Sequence, residues 1–440
     1  MYYVKRFSVI YFGIRDRLAL LLTINLSYTS TMDDIDPLAA VWTRWNHIQP
    51  SLFPWLREEV DPLTEMLGRL VVVLDTIGLQ AFVPAPSSGP GRPPEDRRAL
   101  ARAFVGKVVL GIPTTSALIE RLAVDKSLRR ICGWERRAQV PSEATFSRAF
   151  AEFAASDLPD RMHAALIERT LGGRIIGAVA RDATEIEARE KPIQKHDDPP
   201  PPAAPSSPSN NATPPPAPTS APTPPKRGRP RKGEQRPAPE PTRLERQATQ
   251  TFDQMRAELP CDCDVGTKKN SKGYKESWTG YKLHIDVACG QIPVSCILTS
   301  ASTHDSQVAI PLMTLTSKRI QYLYELMDAA YDAAAISARS EALGHVAVID
   351  PNFRAQHELK ADWALECARR KFISMPDPDD VLYDFRTMVE RVNARLKDEF
   401  GARFLRVRGA VKVKCHLMFG ILALTVDQIF RVPALQEASG

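Results

Sequence analysis

Apolar residues recur every three or four positions through Leu63, Met66, Leu67, Leu70, Val71 and Leu74, and this spacing predicts helix from Asp36 to about Phe82. A loop rich in Pro, Ser and Gly follows from Val83 to Pro94. Asp96 to Val109 reads as a helix with one basic side, carrying Arg97, Arg98, Arg102 and Lys107; Thr115 to Val124 reads as another, ahead of Arg129 and Arg130. Ser142, after Pro141, is placed to cap a helix that turns Phe146, Phe150 and Phe153 inward and leaves Thr145, Ser147 and Arg148 outside. At Ile175 the pattern changes. Ile175 to Ala180 is a nearly continuous apolar run ending at Arg181 and Asp182, as expected of a strand buried on both faces. Tyr281, Leu283, Ile285 and Val287 alternate with Lys282, His284 and Asp286, then Cys289, Gly290 and Gln291 turn the chain into Ile292 to Leu298, a half-buried hairpin. Thr303, His304 and Asp305 open a helix to about Leu315, with His304 as a capping-region residue. The apolar run Tyr322 to Met327, the helix Ala334 to Leu343 and the strand Val346 to Ile349 alternate in the way that favours a parallel α/β arrangement. Val389, Val392 and Leu396 mark one further helix, and Leu417 to Phe430 is apolar enough to pack on the sheet.

Composition changes this picture at one place. Eighteen of the 37 prolines fall between Pro192 and Pro241, so that stretch cannot belong to a packed core. The expected organisation is an extra N-terminal sequence at 1–31, a helical domain at 33–170, a Pro-rich basic linker at 192–250, and an α/β domain made of 171–191 and 251–432. Residues 18–26 are too short an apolar stretch, and too poor in small residues for cleavage, to read as a signal peptide. A formal net charge of +6 is only mildly basic, but its distribution is uneven. Lys226, Arg227, Gly228, Arg229, Pro230, Arg231 and Lys232 resemble an AT-hook, in which an extended backbone lies in a narrow A·T minor groove with Arg227 and Arg229 along its floor. A basic tether that binds through charge alone is the other reading. Seven cysteines, an odd number without a C-x-x-C pair, point to a reducing compartment such as the cytoplasm rather than to a disulfide framework; Cys261 and Cys263 lack the further partners of a metal site.

The chemistry is concentrated in Tyr383, Arg386, Glu390 and Lys397. Their offsets of three, seven and fourteen residues fall within roughly a 60° arc of one helix. A solvated helix face is the bland alternative. The spacing Y-x-x-R-x-x-x-E-x-x-x-x-x-x-K resembles the signature of bacterial insertion-sequence transposases of the DDE type, and the rest of the chain supplies matching pieces. Asp182 precedes a small residue and Thr184 at the end of an apolar run. Gly280 to His284 match a Gly-Tyr-Lys-x-His strand, and Asp328 to Asp332 match a D-x-x-Y-D motif. Residues 95–155 resemble both a helix-turn-helix and the helical domain that precedes catalysis in that family.

The resemblance implies an α/β chain with an RNase H-like catalytic domain, a helical N-terminal DNA-binding domain and a disordered Pro-rich insertion. It implies that Asp182, Asp328 and Glu390 are both the catalytic and the metal-binding acids, that Tyr383, Arg386 and Lys397 contact DNA near the scissile bond, and that the cofactor is Mg²⁺ or Mn²⁺, as two ions. Arg406 and Arg408, within a basic cluster that also holds Arg403, Lys412 and Lys414, fit a DNA backbone track. Partners implied are the terminal inverted repeats and target DNA, with a homodimer in the DNA complex and no membrane. The chain departs from the family pattern in the insertion after Asp182 and in a spacing from Asp328 to Glu390 too short for the β-rich insertion of some members, so no hairpin intermediate is implied. A DNA-binding derivative that has lost transposition, and a nuclease of the same fold, remain open alternatives.

Overall fold

The computed structural model describes residues 63–84, 95–193, 241–269, 272–352, 357–372, 383 and 385–432. The first half of the helix expected from Asp36, the extra N-terminal sequence, most of the linker and its AT-hook residues Arg227 and Arg229 lie outside the described residues.

Among the described residues six helices come first: α1 (Glu65–Ile77), α2 (Arg97–Val109), α3 (Thr115–Val124), α4 (Lys126–Cys132), α5 (Glu143–Ala155) and α6 (Leu158–Leu171). Their starts are set by short polar side chains that accept the orphan N–H groups of a first turn: Thr64 from Leu67, Asp96 from Arg98, Thr114 from Ala117 and Asp125 from Leu128. After β1 (Ile175–Glu187) follow α7 (Arg243–Gln247), α8 (Phe252–Glu258), β2 (Asp264–Lys269), β3 (Lys275–Ala288), β4 (Ile292–Ser300) and α9 (Ser306–Arg319). The chain continues through β5 (Gln321–Met327), α10 (Ala334–Ala342), β6 (Val346–Ile349), α11 (His357–Phe372), α12 (Thr387–Asp398) and α13 (Ala410–Arg431).

The six strands form one mixed sheet in the order β2-β3-β1-β5-β6, with β4 also paired to β3. β1, β5 and β6 run parallel, as the strand-helix-strand pattern predicts; β2, β3 and β4 are antiparallel neighbours on the other side. The hairpin turn has φ of +85° at Gly290 and +60° at Gln291, the pair of left-handed residues that suits the twist of a tight hairpin.

Three sequence expectations need correction. β1 does not stop near Asp182: its parallel ladder with β5 ends at Ala180, but its antiparallel ladder with β3 carries on from Val179 to Glu187. The hairpin is not half-buried. Both α9 and α13 pack on β4, so the polar half of the alternation, His284 and Asp286, is buried along with the apolar half. The last helix begins at Ala410 rather than Leu417, because its first turns still carry the buried residues Val413 and Cys415.

α13 ties the helical region to the sheet. Phe104 of α2 lies 5.8, 5.1 and 6.2 Å from the rings of Phe146, Phe150 and Phe153 of α5, and 6.0 Å from Phe419 of α13, so one continuous apolar core runs from Leu63 to Val432. Among the described residues α13 is the one helix long and apolar enough to cross a membrane; 83% of its most apolar window is buried against this core.

Candidate active site

Sheet register brings two of the three acids together. Ala180 of β1 pairs with Leu326 of β5 as the last pair of that ladder, and Asp182 and Asp328 each follow two residues beyond it, near enough for the Asp328 charge to act on Asp182. Asp328 follows the last residue of β5 and caps the next turn, its carboxylate accepting from the Ala330 N–H at 3.0 Å. The Asp182 carboxylate accepts from Asn393 Nδ2 of α12 at 3.2 Å. Burial pushes the Asp182 carboxyl up to about 7, with the Asp328 charge adding to the effect and Arg386 opposing it. Burial raises Asp328 as well, and Asp305 adds to it.

A raised carboxyl pKa costs stability at neutral pH. Between about pH 4 and 7 folded Asp182 keeps a proton that the unfolded chain has released, so stability falls as pH rises through that window, by up to about 4 kcal/mol for a shift of this size. Asp182→Asn removes that cost. The metal-free variant should melt above the parent at about pH 7.5 and lose its advantage at about pH 4; melting curves in chelator with equal differences at both pH values would rule this out.

The third acid stands differently. Arg386 is the residue before the first turn of α12 and Tyr383 lies ahead of it, so the four signature residues do not share one helix; the guanidinium instead sits over the Tyr383 ring at 5.3 Å. Glu390 is 51% exposed and accepts from Arg386 NH2 at 2.7 Å, an ion pair one turn apart. Arg386 is also close enough to Asp182 and Asp328 for both to raise its pKa, after Tyr383 and Glu390 and against burial. One cation of the chain thus lies among all three acids. Among the described residues no three His, Cys, Asp or Glu side chains are gathered closely enough to hold a metal ion. The donor chemistry at Asp182 and Asp328 nonetheless fits a hard divalent cation: two half-buried carboxylates and, beside Asp182, the buried Oδ1 of Asn393, which has no hydrogen-bond partner.

Lys397, on the last turns of α12, donates to Glu185 of β1 at 2.9 Å, and Lys268 of β2 lies 3.0 Å from the same carboxylate. Against the effect of burial, these two ammonium groups hold Glu185 down to about 2. Arg406 and Arg408 are exposed, with Arg408 Nε donating to the Arg189 carbonyl at 3.1 Å. His304 shares a hydrogen bond of 2.8 Å with Ser306 at the start of α9, the capping role expected of it. Cys261 and Cys263 donate to backbone carbonyls.

Several neighbours of the acids have contacts that the sequence did not mark. Asn393 is one, a buried polar residue between Val392 and Leu396 on the apolar stripe of α12, and that interruption is a readable signal. Lys282 and Asp305 form a 3.0 Å ion pair, and the buried His284 lies 3.8 Å from the same Asp305. Nothing in the spacing of Lys282, His284 and Asp305 announces that contact.

Fold and site together define a mixed α/β protein with two aspartates just past the last pairing of adjacent parallel strands. Comparison with protein families identifies it further. The family described as "Transposase DDE domain" matches residues 241–426, and "Transposase domain (DUF772)" matches residues 56–152. The chain belongs to the DDE transposases of insertion sequences, enzymes of DNA transposition. Comparison with curated proteins and with solved structures yields no match. The DDE match begins near the end of the linker, so Asp182 on β1 lies outside it.

Proposed function

We propose that this transposase binds the terminal inverted repeats of its element and catalyses strand cleavage and strand transfer by in-line phosphoryl transfer, with Asp182, Asp328 and Glu390 as the catalytic acids. The observation that carries the reading is that Asp182 and Asp328 each lie two residues past the paired Ala180 and Leu326 of adjacent parallel strands, close enough for the Asp328 charge to help raise the Asp182 carboxyl. Those two carboxylates and Glu390 would hold Mg²⁺ or Mn²⁺, as two ions, which supply activation of the attacking oxygen and stabilisation of the leaving one. Arg386 lies among the three acids and offsets part of their charge, and with a metal held by those acids its guanidinium would be available to a DNA phosphate. Tyr383 supports Arg386 through its ring. Lys397, Arg406 and Arg408 line the approach as phosphate contacts; Arg227 and Arg229 add minor-groove contacts from the linker. The helical domain at 33–170 reads the repeats, and two copies act together, one at each end of the element.

The test is a plasmid carrying the reading frame with its native flanks, incubated with purified protein, Mg²⁺ and a target plasmid. Breaks at the flanks and joined products are the expected result. Breaks without joining would make the chain a nuclease, and binding without breaks would make it a DNA-binding derivative.

A further inference from the structure

The ribbon β2–β3 extends beyond the body of the sheet. β1 pairs with β3 only from Gly280 onward and β4 only from Tyr281, whereas β2 pairs with β3 from Gly280 back to Lys275. Five residue pairs, Val265 with Thr279 to Lys269 with Lys275, therefore project past the last three-strand pairing, a reach of about 15 Å at the rise of a strand. Its base is stiff. Trp278 lies across Gly266, where an added Cβ would meet the indole at 2.4 Å, and its Nε1 donates to the Tyr281 carbonyl at 3.1 Å. Its outer part is strongly basic: Lys268, Lys269, Lys272 and Lys275 are all exposed, against Glu276 on the ribbon itself and Glu185 of β1 beside Lys268.

The register holds a conflict. Lys269 and Lys275 stand directly opposite one another across the ladder, a like-charge pairing that destabilises an isolated ribbon. A polyanion laid along the ribbon turns that repulsion into attraction. Position selects the polyanion: from the outer part of the ribbon Lys268 reaches back to share Glu185 with Lys397 of α12, so the ribbon bends over the site, and Glu185 lies three residues along β1 from Asp182. Width also suits. A two-stranded ribbon fits the major groove of B-form DNA, which is about 12 Å across.

We propose that the β2–β3 ribbon is a DNA arm that lies along the duplex leading into the active site, with Lys269, Lys272 and Lys275 on its phosphates. The proposal rests on the transposase reading above for the presence of DNA and adds where the duplex runs.

The experiment uses the full chain in chelator, with a labelled 30-base-pair duplex of arbitrary sequence, about 30 because it exceeds a few helical turns, titrated at several salt concentrations. Replacing Lys269, Lys272 and Lys275 by Gln should lower the logarithmic salt slope by about 2.7, at about 0.9 per lost phosphate contact. Lys272→Gln alone should lower it by about 0.9 and keeps the test decisive if the triple variant melts early. Wild-type binding with a slope unchanged in both variants would overturn the arm and leave the transposase reading standing. A wild-type chain that binds no duplex at all would overturn both.

Discussion

Asp328→Asn is expected to abolish metal-dependent DNA cleavage while leaving duplex binding close to that of the parent. The change removes a charge from the acid pair and no basic group from the DNA surface, and Asn can still accept from the Ala330 N–H. Metal-ion catalysis contributes several kcal/mol to phosphoryl transfer, so losing one of its ligands should lower the rate by at least about a thousand-fold. Asp182→Asn should match it. Glu390→Gln is the sharper comparison, because Glu390 has two possible roles. If it only pairs with Arg386 along the helix, its loss is worth about 0.5 kcal/mol and cleavage survives. If it turns to the metal, Glu390→Gln fails as completely as Asp328→Asn. Single-turnover cleavage of a nicked end substrate, measured beside anisotropy binding, distinguishes these outcomes. Normal cleavage by Asp328→Asn would remove that residue from the site.

The pattern of legibility follows from which interactions are local. Thr115–Val124 and Val346–Ile349 coincide with the elements read from sequence, since polar or glycine punctuation at Thr114, Asp125 and Gly344 bounds them on the spot. Asp182 and Asp328 were visible as carboxylates closing apolar runs. The length of β1 was not, because Thr184 to Glu187 are kept in strand by Gly280 to Leu283, a pairing about a hundred residues away along the chain. The β2–β3 ribbon was equally hidden: Asp264 to Lys269 carry a single buried residue, Gly266, and so show no apolar period. The position of Glu390 was legible and its engagement was not, since a rotamer shared with Arg386 depends on the neighbouring charges of two strands. Lys397 illustrates the same limit. The family resemblance implies a phosphate contact for it, but in this fold it already has a partner in Glu185, with which a phosphate would have to compete.

Arg181→Met should destabilise the protein by about 3–5 kcal/mol, the largest loss we expect from any single side chain outside the acids. Arg181 is 1% exposed; its Nε and NH2 donate to the two oxygens of Asp286 at 2.8 Å each, and NH1 lies 3.5 Å from Glu325. Although burial alone would lower it, Asp286 and Glu325 raise the pKa of this guanidinium, so it stays charged. Both acids are themselves buried. Asp286 also accepts from Thr316 at 2.6 Å, and Glu325 from Tyr322 and, at 3.1 Å, from His345. Methionine fills the volume but strands two carboxylates without their cation, and the cost is that of uncompensated buried charge. Asp286→Asn added to Arg181→Met should recover part of the loss, because it neutralises one of them. The effect also reaches the site. Arg181 joins β1 to both β3, through Asp286, and β5, through Glu325, at the residue next to Asp182, so its loss loosens the register that sets Asp182 beside Asp328. Denaturant unfolding of the two variants in chelator measures the first effect, and Mn²⁺ titration of the folded protein measures the second. A loss below about 1 kcal/mol would mean that water or protonation already relieves the acids, and that the network does not hold the strands in place.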